Sequence, residues 1–284
     1  MQTITVPQFV ERYLEEARTF YKSYSPLSSV LNNFSRNYPD RQLQTLVPPD
    51  IHEYVHARLK AGIKASTVNQ ELAMLRSSIN YARHQWGIDL QNPVCRQRLK
   101  TTALRLRYLS RHEAKRLVAH ANKKQVAHFV QLALHTGCRK TELLTLRWSD
   151  IDQQRNMLTL RAENTKASKA RSIPLNRTAT KALQALQENN TSEWVFANSK
   201  GDRKKSINWS FRKSLRSAGI EDFHIHDLRH TFASWLVSEG VELIKVRDLL
   251  GHSSIKMTER YAHLMPERLR QAVEVLDAYS EEGD

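Results

Sequence analysis

The sequence predicts a mainly α protein in two parts, an N-terminal four-helix domain followed by a mostly helical domain with a small antiparallel β-sheet. Three observations predict it. Apolar residues recur at helical spacing through most of the 284 residues. The period switches to strand alternation only around residues 157–174. No acidic residue falls between Asp89 and Glu113, and this arginine-rich stretch separates two segments, each long enough for a core of its own.

The elements follow in order. Val6, Phe9, Val10, Tyr13, Leu14 and Ala17 repeat as one helix face from Val6 to Tyr21, with Pro7 tolerable in the first turn. Leu27 to Tyr38 is a second helix, ended by Pro39. Asp50 can cap a third through Leu59, which Gly62 stops. From Ser66 or Thr67 the longest helix runs to Gly87, with Val68, Leu72, Leu75, Ile79 and Ala82 on one face. Four helices with short connections make a bundle, assigned to residues 1–97. Residues 98–107 read as a basic linker, and residues 108–284 as the second domain. That domain opens at Ser110, where Ser-Arg-His-Glu is a capping box. Helices from Val126 to His135 and Lys140 to Arg147 precede a hairpin made by Met157–Arg161 and Ala170–Pro174, and Trp194–Phe196 offers a third strand. Further helices are expected over Ile207–Ser217, His226–Ser238, Val241–Leu250, Ile255–Leu264 and Glu267–Tyr279.

Composition excludes several classes of function. Two cysteines, Cys95 and Cys138, lie far apart without a CxxC pattern, which removes a disulfide framework and a thiolate zinc cluster. No apolar run approaches the roughly 20 residues of a membrane span, and Glu11, Arg12, Glu15, Glu16 and Arg18 exclude a signal peptide. The chain reads as cytoplasmic, without a membrane partner. Forty-four basic residues against 29 acidic give a formal charge of +15. Residues 1–107 hold 15 basic and 8 acidic side chains, so the excess is spread over both parts. Such a distribution suits a polyanion gripped from two sides, and nucleic acid is the commonest. In the linker stretch, Arg96, Arg98, Lys100, Arg105 and Arg107 are either a solvated tether or contacts along a phosphate backbone.

Four segments of the second domain carry chemistry-bearing residue types. Arg139 stands at a helix start in Thr136–Glu142, and Thr165–Arg171 is a basic hairpin turn that includes Lys166, Lys169 and Arg171. In His226-Asp-Leu-Arg-His230 two readings compete. His226 and His230 share a helix face as in the HExxH zinc motif, with His224 or His252 as a third ligand, but Asp227 stands where that motif needs Glu. Alternatively His226 pairs with Arg229 three residues on, an imidazole beside a guanidinium, which is a phosphate-handling arrangement, and His230 is a packed helix residue. The fourth segment places Tyr261 nine residues after Leu249-Leu-Gly-His252.

Arg139, Lys166, His226-x-x-Arg229, Leu-Gly-His252 and Tyr261, in that order, resemble the tyrosine recombinase (phage integrase) family, through H-x-L-R-H-T-F-A, L-G-H-S and the T-x-x-x-Y run. The resemblance implies a SAM-like core-binding domain in residues 1–97 and a catalytic domain in 108–284, with no extra arm-site domain before them. It implies a site-specific recombinase that acts on double-stranded DNA as a homo-tetramer on two synapsed sites, through a Holliday junction. Room remains for an accessory directionality protein. Tyr261 would attack phosphorus, Arg139 and Arg229 would hold the nonbridging oxygens, and His226 would accept the tyrosine proton. Lys166 would protonate the leaving 5′ oxygen, with Lys169 a weaker candidate, and His252 would hydrogen-bond the phosphate. The 3′-phosphotyrosine stores the bond energy, so neither cofactor nor metal is expected. A catalytically silent DNA-binding regulator of the same fold is the alternative, and a metallohydrolase comes third.

Overall fold

The computed structural model describes residues 3–20, 24–94, 98–101, 105–164, 169–188 and 190–265. The chain divides into two compact units, residues 1–104 and 105–284.

The first unit holds α1 (Val6–Phe20), α2 (Tyr24–Asn37), α3 (Pro48–Lys60) and α4 (Ala65–Gln85). Phe9, Leu31, Phe34, Leu75 and Ile79 are fully buried among them. α3 starts two residues earlier than Asp50 suggested. Pro48 supplies the first helical position, and the Asp50 carboxylate, in the first turn, accepts the Val47 N–H at 2.9 Å. A buried Glu71 takes both arms of Arg58 and the Tyr54 hydroxyl, so its charge is paired inside the bundle.

The expected linker is divided between the units. Ile88, Leu90 and Val94 are buried in the first core, and the Asn69 side chain bonds both the N–H and the C=O of Leu99. Arg105 and Leu106, by contrast, belong to the second unit. There the chain lies along a helix: the Leu109 N–H donates to Thr231 Oγ1 at 3.0 Å, and Trp235 Nε1 donates to the Leu109 carbonyl at 2.9 Å.

The second unit runs α5 (Arg111–Ala119), α6 (Lys124–Thr136), α7 (Lys140–Leu144), β1 (Ile151–Asp152), β2 (Met157–Leu160), β3 (Arg171–Pro174), α8 (Arg177–Gln187), α9 (Asn208–Ser217), α10 (Asp227–Ser238) and α11 (Leu243–Leu250). The sheet is antiparallel in the order β1-β2-β3, with Leu158 opposite Ile173 and Leu160 opposite Arg171. Trp194 forms only an isolated bridge to Arg147, and the third strand comes instead from Ile151–Asp152. α7 stops at Leu144, where the Thr145 hydroxyl caps the Thr141 carbonyl at 2.8 Å, and the chain then enters a 3₁₀ turn over Trp148–Asp150. α8 is an additional helix, capped by the Asn176 side chain on the Ala179 N–H. Ile255–Leu264 forms two 3₁₀ turns, Ile255–Met257 and Glu259–Leu264, rather than one helix. The expected helix Glu267–Tyr279 lies outside the described residues. α6 packs between α8 and α10, so its C-terminal end arrives beside the elements that carry the candidate residues. No helix among the described residues is long and apolar enough to cross a membrane.

Candidate active site

Gly137 decides how closely these elements meet. It ends α6 at φ +64°, and a Cβ there would lie 2.4 Å from the Phe232 ring and 2.9 Å from Leu250. Only glycine fits both the conformation and the space. The turn therefore sits directly against α10 and α11, and the next residues, Cys138 and Arg139, enter the site.

Arg139 precedes α7 and is held from below. Its backbone N–H donates to Glu142 Oε2 and its Nη1 to Glu142 Oε1, each at 2.7 Å. The same carboxylate, with no side-chain exposure, accepts Arg171 Nη1 at 3.1 Å and Nη2 at 2.9 Å. Burial opposes the Glu142 charge, but the bonds from Arg171 and Arg139 outweigh it and hold the carboxyl below its usual range. Arg171 has only 13% of its side chain exposed, against the expectation of a free DNA-contacting cation. It lies over Gly251, where a Cβ would meet its guanidinium at 2.8 Å.

Arg229, on α10, is 3% exposed. Nη1 donates to the Gly137 carbonyl at 2.9 Å and Nη2 to the Leu250 carbonyl at 2.6 Å, which ties the ends of α6 and α11 together. Two of its five N–H donors are spent in this way. Burial, then the neighbouring Arg139, pulls its pKa down to about 10, so it remains charged at neutral pH.

His252 follows Gly251. Its Nδ1 pairs with the buried Thr258 hydroxyl at 2.8 Å, and Nε2 has no partner among the described residues. Burial first, then Arg229, Arg139, Arg260 and Arg171, pushes its pKa to about 4. Four guanidinium groups thus act on one imidazole, with Glu142 the one carboxylate bonded among them in the described residues. That imbalance calls for an anion.

Tyr261, in the second 3₁₀ turn, is 1% exposed and packs with Phe232, Val237, Val246 and Leu250. Burial raises its pKa, while Arg260 and Arg229 oppose the rise. Its hydroxyl lies 2.6 Å from His230 Nδ1. The imidazole against Tyr261 is thus that of His230, whereas the sequence reading has His226 accept the tyrosine's proton. The His226 ring stands perpendicular to that of His230 at 5.0 Å, without a hydrogen-bond partner among the described residues, and burial then Arg229 keep it neutral. The described residues contain no group of three or more His, Cys, Asp or Glu able to hold a metal.

The remaining candidates are scattered. Lys166 and Arg96 lie outside the described residues, and Lys169, Arg98 and Lys100 are exposed. Arg105 is committed to Asp222 at 2.9 Å, to His224 Nδ1 at 2.9 Å and to Asp227 at 3.4 Å, and Arg107 to Glu113. Two residues of the site had no settled role in the sequence reading. Glu142 stood at the end of the Thr136–Glu142 segment without a role, although its spacing three residues after Arg139 was a usable signal. His230 was read as a zinc-ligand candidate or a packed helix residue, and nothing near it in sequence signalled its contact with Tyr261.

The phage integrase family pattern matches residues 107–268, a span that contains Arg139, Arg229, His252 and Tyr261. The chain belongs to the phage integrase family. It is 34% identical over 226 residues to the integrase of Salmonella phage P22, covering 75% of this chain and 58% of that protein. The chain thus spans little more than half the length of that relative. It is 30% identical to the shufflon-specific DNA recombinase of Escherichia coli over 98% of this chain and 73% of that one. Tyrosine recombinase XerD of Rhizobium meliloti is also 30% identical, over 94% and 87% of the two chains. Among solved structures, the Tn1549 transposon integrase in complex with a circular intermediate DNA shares the fold with a TM-score of 0.81 at 18% identity, over 97% of this chain and 99% of that one. A lambda integrase tetramer bound to a Holliday junction gives a TM-score of 0.75 at 21% identity, over 88% and 78%.

Proposed function

We propose that this phage integrase family member is a site-specific recombinase that cleaves and rejoins double-stranded DNA through a 3′-phosphotyrosyl intermediate. One observation carries the proposal: Tyr261 packs in one buried cluster with Leu250, and the Leu250 carbonyl accepts Arg229 Nη2 at 2.6 Å, so the tyrosine and the buried guanidinium share an anchor. In this reading a scissile phosphate enters the arginine cluster, where Arg139 and the unspent donors of Arg229 bind its nonbridging oxygens. His252 adds a hydrogen bond through Nε2, and His226, its pKa lowered by burial and then by Arg229, stands within the field of the same arginines. Tyr261 attacks phosphorus, and Lys166 protonates the departing 5′ oxygen. Rejoining reverses these steps on a second strand, so no external energy source is needed. The lambda integrase tetramer bound to a Holliday junction supports a homo-tetramer on two sites as the working assembly.

The test is covalent trapping on a nicked suicide substrate. Wild type should form a protein–DNA adduct, and Tyr261→Phe should bind the same DNA without forming it. A Phe variant that still forms the adduct removes Tyr261 as the nucleophile. A wild type that binds its site but never forms an adduct points instead to a catalytically silent DNA-binding regulator.

A further inference from the structure

The attacking oxygen needs somewhere to send its proton, and most of the neighbouring groups cannot take it. Arg139, Arg171, Arg229 and Arg260 are cations without acceptor capacity. The Glu142 carboxylate is filled by Arg139 and Arg171. Asp227 Oδ2 takes the His224 N–H at 2.8 Å and Arg105, and no hydrogen bond joins this carboxylate to the tyrosine among the described residues. His252 Nδ1 is taken by Thr258, and neither His252 Nε2 nor the His226 ring is hydrogen-bonded to the tyrosine among the described residues. His230 Nδ1 remains, at 2.6 Å from Tyr261 Oη, and the hydroxyl has no other hydrogen-bond partner among the described residues.

We infer that His230 is a further catalytic residue, the proton acceptor for Tyr261 during strand cleavage. The inference rests on the recombinase reading above. In the step, the Oη–phosphorus bond forms and the phosphorus–O5′ bond breaks. The Oη proton passes to His230 Nδ1, and the 5′ oxygen takes its proton from Lys166. In rejoining, His230 returns its proton to Oη as the 5′ oxygen attacks.

The surroundings prepare the ring for this role. The groups facing it are His226, Asp227 and Arg229 on α10, with Arg260 and Tyr261 on the 3₁₀ turn. Burial first, then His226 and Arg260, brings its pKa to about 4, with Asp227 pulling the other way. The ring is therefore neutral and its Nδ1 lone pair accepts the tyrosine O–H, the tautomer being fixed by that partner. A phosphodiester in the arginine cluster brings a negative charge that offsets Arg229 and Arg260, so substrate binding raises the basicity of His230 where it is needed. Transfer in step with Oη–phosphorus bond formation spares the site a free tyrosinate.

The experiment is single-turnover cleavage of a suicide substrate at saturating protein, with DNA affinity and thermal midpoint measured beside it. His230→Gln keeps a polar side chain but accepts no proton, and should slow cleavage by about 100-fold or more, while affinity stays within about twofold. His230→Ala opens a space for free imidazole, which should restore cleavage increasingly as the pH rises towards neutrality. Either variant cleaving at or above the wild-type rate overturns the inference, because the contact would then be a clasp on the resting tyrosine. A folded His230→Ala protein that imidazole fails to rescue overturns it too, since the ring would then only hold position. A wild type without any adduct in the same assay sinks the recombinase reading itself, an outcome distinct from both.

Discussion

Arg171 and Glu142, 29 residues apart in sequence, meet through both arms of the guanidinium and both oxygens of the carboxylate, at 3.1 and 2.9 Å. The pair joins the first strand residue after the basic turn to the helix that follows Arg139. With Arg171 occupying both oxygens, Glu142 takes a single side-chain bond from Arg139, so the remaining Arg139 donors are available to an anion.

Glu142→Gln keeps the shape and removes the charge, leaving Arg139 and Arg171 in mutual repulsion. Breaking a buried pair of this kind costs roughly 3 kcal/mol. The unfolding midpoint in urea should fall accordingly, and single-turnover cleavage should drop by about 100-fold as Arg139 loses its seat. A variant with wild-type stability and rate would show that the carboxylate is dispensable.

The histidines set an acid limit on stability. His230 and His252 are held near pKa 4, mainly by burial, against about 6.5 in an unfolded chain. As pH falls below about 6.5 the unfolded chain takes up protons that the native protein refuses, so stability declines down to about pH 4. Each group contributes at most about 1.4 kcal/mol per pH unit, and the partly exposed His252 less. Glu142, held below its usual range, adds a further loss only at lower pH, as it protonates. Thermal midpoints at pH 7, 6 and 5 should descend, and His230→Gln should flatten the descent. A midpoint constant over that range contradicts the burial of these rings.

The basic residues between Asp89 and Glu113 should separate by role. Arg98 and Lys100 are exposed, and replacing both with Gln should lower the slope of log affinity against log salt by about 0.9 for each phosphate no longer neutralised. Arg105→Gln with Arg107→Gln should instead lower the thermal midpoint with the salt slope unchanged, because Asp222, Asp227 and Glu113 hold these side chains. Binding titrations across a salt series distinguish the two pairs, and the reverse pattern would show that Arg105 and Arg107 leave their carboxylates for DNA.

Much of this architecture was legible from residue order because local rules governed it. The four N-terminal helices follow from the spacing of residues such as Val6, Phe9 and Tyr13, and the hairpin from alternation around a polar turn. The Ser110 cap was readable from Glu113 alone, and both of its bonds are present. What local rules did not reach are relationships made by tertiary folding. An Arg and a Glu three apart describe a solvated helix pair as readily as a buried one, until β3 brings Arg171 across. Nothing near His230 announces Tyr261, which lies 31 residues on. Trp194–Phe196 has strand composition, but Ile151–Asp152 occupies the place beside β2.

The strap from Arg105 to Leu109 bears on how such proteins exchange modules. Leu106 packs in the cluster that encloses Tyr261, and Arg105 binds the first residue of the helix that bears Arg229 and His230. A hybrid that grafts the N-terminal unit of a relative onto this chain and joins it at Tyr108 would bring a foreign residue into the wall around Tyr261. A splice made before Arg105 would carry the whole strap with the second unit. Seam position, as much as the choice of parent, would then decide whether a chimeric recombinase keeps its chemistry.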